Sequence, residues 1–153
     1  MSCFKPYLCL AAKKGGGIFQ SLRALENHHK STKGMVIIMK ENKLVDLSMD
    51  FAVSIIKLCE TIKGHYSLIN QLERSATSIG ANIHEANYAH GKPDFIAKLQ
   101  IALKECYETE YWLELFVKSD ILNRDTVVDL CNQCGTIRRI LIASVNTAKE
   151  NVK

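Results

Sequence analysis

Glu105 and Glu108 stand three residues apart among apolar neighbours on one long helical pattern. Two acids so placed could do general acid–base work, as in hydrolases, or hold metal ions inside a helical bundle. The metal chemistry needs Glu-x-x-His pairs on inward faces. Only His84-Glu85 lies nearby, on the preceding helical pattern, and no histidine falls between Pro93 and Lys118. Ion pairing with Arg74 or Arg138 fits the two acids better. Such pairs add little net stability, yet breaking a buried one costs about 3–5 kcal/mol, so they suit the fixing of register or assembly. Arg74, Asn82 and Glu85 align with Ser78 on the face opposite an apolar stripe. Together with Trp112 they are candidates for the same packing and assembly role.

Other groups with chemical potential lack the partners that chemistry requires. Cys131-x-x-Cys134 has metal or redox spacing, but no second Cys-x-x-Cys and no nearby histidine pair accompany it. Both sulfurs fall on the apolar stripe of a helix, where a thiol packs as a small hydrophobe. His65, His84 and His90 sit near helix ends or on mixed faces and read as surface or capping residues. Ser75 and Ser78 have no histidine or aspartate at nucleophile spacing and read as helix surface. Tyr111 and Trp112 could stack on bases, although Trp112, beside Leu115 and Phe116, reads better as an interface anchor. No catalytic constellation and no cofactor is expected.

Composition bounds the setting. A chain of 153 residues with 47% hydrophobic and 24% charged residues suits one soluble domain with a respectable core. The net charge of +4 is unevenly spread. Residues 1–38 hold six Lys/Arg and one acid, giving +5, while 39–153 hold 14 bases and 15 acids, giving −1. The patterned part therefore has no broad basic field for nucleic acid, and any such surface must come from local clustering or from assembly. Lys98, Lys104, Arg138 and Arg139 are the basic candidates. No apolar run approaches the ~20 residues of a membrane span. Free thiols and the absence of a good secretory signal make the cytoplasm the expected location.

The elements that must position these residues are all helical. Only two prolines and eight glycines occur, three of the glycines in the run Gly15-Gly16-Gly17. Residues 1–38 show no sustained period and are expected to be a poorly ordered extension, with a short helix at Ile18–Asn27 at most. Met35 and Met39 are alternative candidate starts. From 39 to 153 the spacing predicts four helices. The first, Asn42–Lys63, carries Leu44, Leu47, Phe51, Ile55, Leu58 and Ile62 on one face and ends at Gly64. A second, Ser67–Ala89, carries Leu68, Leu72, Ala76, Ile79, Ile83 and Ala86, with Gly80 allowing close approach. Pro93 suits the first turn of the third, Pro93–Lys118. That helix has two apolar faces, one of Phe95, Leu99, Leu103, Cys106 and Leu113, the other of Ile101, Trp112, Leu115 and Phe116. A helix apolar on two sides is buried on two sides, which points to self-association. Asn123 precedes the fourth, Arg124–Lys149, whose stripe is Val127, Cys131, Cys134, Leu141, Ile142 and Val145, with Arg138 inside it. Short turns make this an antiparallel up-down-up-down four-helix bundle. Folding about Gly91 brings Ile79 level with Leu103, Ile83 with Leu99 and Arg74 with Glu108.

Two segments, QLERSATSIGANIHEA and KLQIALKECYETEYWLEL, resemble the bacterial ribosomal-RNA intervening-sequence proteins. Arg74-Ser75, Asn82-Ile83, Glu85-Ala86, Glu105, Glu108 and Trp112-Leu113 carry the resemblance, which spans about Lys40 to Lys149. The accessory variability determinant of diversity-generating retroelements is a related bundle. The resemblance implies a homopentameric barrel without enzymatic activity, and for the retroelement relative a partnership with nucleic acid and a reverse transcriptase. Two functions follow as expectations: an oligomeric bundle that binds or scaffolds structured RNA or DNA, or a protein-interaction scaffold, such as a reverse-transcriptase accessory subunit, without nucleic-acid contact.

Overall fold

A computed structural model of the chain describes the backbone of residues 32–150 and the side chains of 43–150. Four helices follow one another: α1 (Thr32–Thr61), α2 (Tyr66–Ala86), α3 (Lys92–Lys118) and α4 (Arg124–Glu150). No strand occurs among the described residues. Helix α1 starts at Thr32 rather than Asn42, because no proline interrupts the stretch and its apolar residues do not have to form a stripe to stay helical. The expected extension and its short helix lie outside the described residues, apart from 32–38, which belong to α1.

Pairs between neighbouring helices run in opposite directions, the mark of an up-down bundle. Glu85 meets Lys98 near the α2–α3 turn, while Ser75 meets Thr109 further from it. Arg124 reaches Glu114 near the α3–α4 turn, and Cys134 lies over the Cys106 carbonyl deeper in. Helix α1 lies against α2 with Ser48 beside Gly80.

The turns follow from local chemistry. Gly64 and His65 are both left-handed, with φ of 76° and 52°. The His65 carbonyl accepts the Leu68 and Ile69 amides, which starts α2 without a side-chain cap. Pro93 occupies the first turn of α3, where its missing N–H is harmless. Asp94 in the same turn accepts the His90 amide. At the far end Asp120 takes the left-handed position, and the Ile121 amide returns to the Phe116 carbonyl, a Schellman closure.

One core joins all four helices, centred on Phe51, Ile55, Leu72, Ile79, Leu113, Phe116, Ile137 and Leu141. The α1 and α2 stripes are those expected, with Leu47, Ile62 and Leu68 at their half-buried edges. Helix α3 is rotated from its expected orientation. Its inward face is Leu99, Ala102, Cys106, Thr109, Leu113 and Phe116, so Phe116 belongs to the core and not to a second face. Rotation of α4 likewise brings Leu130, Ile137 and Ala148 inward and leaves Cys131, Ile142 and Arg138 half-buried. Ser75, read from the sequence as surface, is fully buried.

A Cβ built on Gly80 would stand 3.4 Å from Ser48 Oγ and 3.7 Å from its Cβ, ordinary contact distances. Gly80→Ala should therefore raise stability by up to about 1 kcal/mol through helix propensity. Gly80→Leu should lower it by about 1–3 kcal/mol by overfilling the α1–α2 contact. Chemical denaturation of both variants checks the pair of signs.

Candidate assembly face

The candidate residues on α2 and α3 line one flank of the hairpin. At the level expected, Arg74 Nη2 lies 3.8 Å from Glu108 Oε1. The same carboxylate oxygen accepts the Trp112 indole N–H at 3.3 Å. Arg74 is 66% exposed and Glu108 29%, so this long pair is worth no more than about 1 kcal/mol. Asn82, half-buried, donates to the Ser78 carbonyl of its own helix at 2.8 Å. Nearer the turn, Glu85 holds the Lys98 ammonium, and that hydrogen bond raises the lysine pKa.

Glu105 stands apart. It is half-buried, and no cation lies within ion-pair distance of it among the described residues. Burial, and then the charge of Glu108, push its carboxyl above the usual range, against a smaller opposing pull from Arg74 and Lys104.

The expected pairing of Arg138 with Glu105 or Glu108 does not occur. Arg138 Nε donates instead to Glu110 Oε1 at 2.9 Å, and its guanidinium lies 5.4 Å from the centroid of the Tyr107 ring. The rotation of α4 places Arg138 at the edge of the α3–α4 contact, on the opposite side of α3 from Arg74. Glu110 and Tyr107 were not singled out from the sequence. Their spacing of three, an aromatic and an acid on one α3 flank, was the available signal. Arg124, with both terminal nitrogens on Glu114 at 2.8 and 3.1 Å, closes the same seam.

Among the nucleic-acid candidates, Lys98 and Arg138 are held by carboxylates of their own chain. Lys104 is exposed, and Arg139, also exposed, donates to Thr136 Oγ1 at 3.0 Å. Three thiols, those of Cys59, Cys131 and Cys134, are held in the protonated form. Burial pushes Cys59 up to about 12. Cys134 is raised by its hydrogen bond at Cys106 and by burial. Burial also raises Cys131, which weakens it as a nucleophile.

The expected second α3 face survives in part, as exposed Ile101 with half-buried Trp112 and Leu115. A further apolar row was missed. Met49, Val53 and Ile56 on α1 recur at intervals of four and three and all face solvent. Their period was readable in the sequence, alongside the core stripe of the same helix.

Comparison with known proteins agrees with this architecture. The family model described as 23S rRNA-intervening sequence protein matches residues 40–143. The chain belongs to that family. A crystal structure of a protein of unknown function from the S23 ribosomal protein family, from Bacteroides thetaiotaomicron VPI-5482, is 41% identical. It superposes with a TM-score of 0.66, covering 70% of this chain and 98% of the other. No curated protein matches the chain. No described helix is long and apolar enough to cross a membrane.

Arg138→Ala removes a charge-assisted hydrogen bond and a cation–π contact at a half-buried seam. It should cost about 1–3 kcal/mol, whereas Arg74→Ala should cost less than about 1 kcal/mol. Denaturation midpoints at matched protein concentration rank the two.

Proposed function

We propose that this family member works by assembly rather than by catalysis, as a self-associating helical bundle that serves as a scaffold. The observation that carries the proposal is the row of Met49, Val53 and Ile56 left in solvent on α1. Scattered exposed apolar residues are normal, but a contiguous row marks an interaction surface. The Ile101, Trp112 and Leu115 face on α3 adds a second surface of the same kind. Homopentameric assembly, as the family resemblance implies, would use both in every copy.

A second function, contact with structured RNA or DNA, is favoured by one feature. Lys104, Tyr107 and Tyr111 form an exposed ridge along α3, and aromatic rings interleaved with a cation suit base stacking. The internal pairing of Lys98 and Arg138 weighs against a large phosphate-binding field. A reverse transcriptase or other protein would instead be recruited by apolar and hydrogen-bonding contacts.

Light scattering on the full chain, alone and with a structured RNA at low salt, tests both functions. A discrete mass several times that of one chain is expected without RNA, and a monomer at all concentrations would refute assembly. Added RNA should raise the mass in a strongly salt-dependent way if the ridge binds it. An unchanged mass would remove the second function and leave the first intact.

A further inference from the structure

We propose that the α1 flank of one copy, carrying Met49, Val53, Ile56 and Lys57, docks antiparallel on the α3 face of a second copy, carrying Ile101, Lys104, Glu105 and Trp112, with Lys57 opposite Glu105. This interface rests on the self-association proposed above and names the surfaces that would perform it.

The two surfaces answer each other. Met49, Val53 and Ile56 are 59%, 42% and 39% exposed and lie in a row on one face of α1. Lys57, one turn beyond Val53 on the same helix, has no carboxylate within ion-pair distance among the described residues. Ile101 is 42% exposed, and Trp112 beside it is half-covered. Glu105 on that face carries an unpaired, partly desolvated charge. A carboxylate in that position gains from a cation brought by another molecule.

Orientation follows from the remaining charges. In an antiparallel arrangement that sets Lys57 against Glu105, Glu60 comes level with Ala102, about 3 Å along the axis from Lys104, and Met49 with Leu113, beside Trp112. From there Glu60 can reach the Lys104 ammonium, and Met49 the Trp112 ring, a sulfur–aromatic contact. A parallel arrangement with the same Lys57–Glu105 contact would place Glu60 near Glu108, setting like charges together. Charge complementarity therefore selects one direction. Because the two surfaces differ, the contact is heterologous. In a pair, one copy keeps its α3 face free and the other its α1 flank, and the chain of contacts closes into a ring if the rotation permits.

A charge swap tests the interface on the full chain. Lys57→Glu and Glu105→Lys should each weaken association by about tenfold or more, read as a fall in mass by light scattering at fixed concentration. The double variant should recover the wild-type mass. Val53→Asp, at a position exposed in the single copy, should also lower the mass while leaving helical circular dichroism intact. That variant decides the matter if a charge variant folds poorly. Single variants that keep the wild-type mass, or a double variant that fails to recover it, would overturn this interface while leaving self-association standing. A wild-type chain that is monomeric throughout would remove both.

Discussion

Two buried hydroxyls hold α2 and α3 at the level from which the rest of the bundle follows. Thr109 Oγ1 lies 3.0 Å from Ser75 Oγ, and both residues are wholly inaccessible to solvent. Two protons are shared over three contacts, the other two being Ser75 Oγ to the Leu72 carbonyl at 3.1 Å and Thr109 Oγ1 to the Glu105 carbonyl at 2.8 Å. Thr109 has one proton to divide between the Glu105 carbonyl on its own helix and Ser75 Oγ on the facing one, and the second of these contacts ties α3 to α2. Apolar stripes alone tolerate sliding by a turn, since one branched aliphatic side chain packs nearly as well as the next. Sliding here would set a hydroxyl against Leu or Ile and lose a buried hydrogen bond, at about 1 kcal/mol. No buried polar side-chain atom is left without a partner among the described residues.

The surface pairs inherit that level. Arg74 stands beside Ser75 and Glu108 beside Thr109, so the exposed ion pair is a consequence of the buried bond more than a cause of the fold. The seam on the other side of α3 is more strongly held. There Arg138, Tyr107 and Glu110 form one cluster, and Arg124 grips Glu114 and depresses its pKa, chiefly through their hydrogen bond. Several cations are thereby committed within the chain.

Much of this architecture was legible in the sequence. Gly64, the Gly91-Pro93 turn and the Ser119–Asn123 turn separate four strong helical periods, and the α1 and α2 stripes contain enough Leu and Ile to define their inward faces. The Arg74–Glu108 level followed from counting back and forward from Gly91. Rotation about the helix axis was not legible for α3 and α4. Their apolar residues surround more of the wheel, so the choice between Phe116 inside and Phe116 outside depends on the neighbours. The error in rotation accounts for the partner wrongly assigned to Arg138. Ser75 was read as surface, and Thr109 was not singled out, because a lone hydroxyl on a helix usually faces water, and only its counterpart on the facing helix makes it a core residue.

The level-setting bond is open to direct measurement by a double-mutant cycle in chemical denaturation, with Ser75→Ala, Thr109→Val and the pair, at fixed protein concentration. A coupling energy of about 1 kcal/mol between the two sites is expected, because removing either hydroxyl already removes the cross-helix bond. Strictly additive losses would contradict the claim that this bond sets the α2–α3 level.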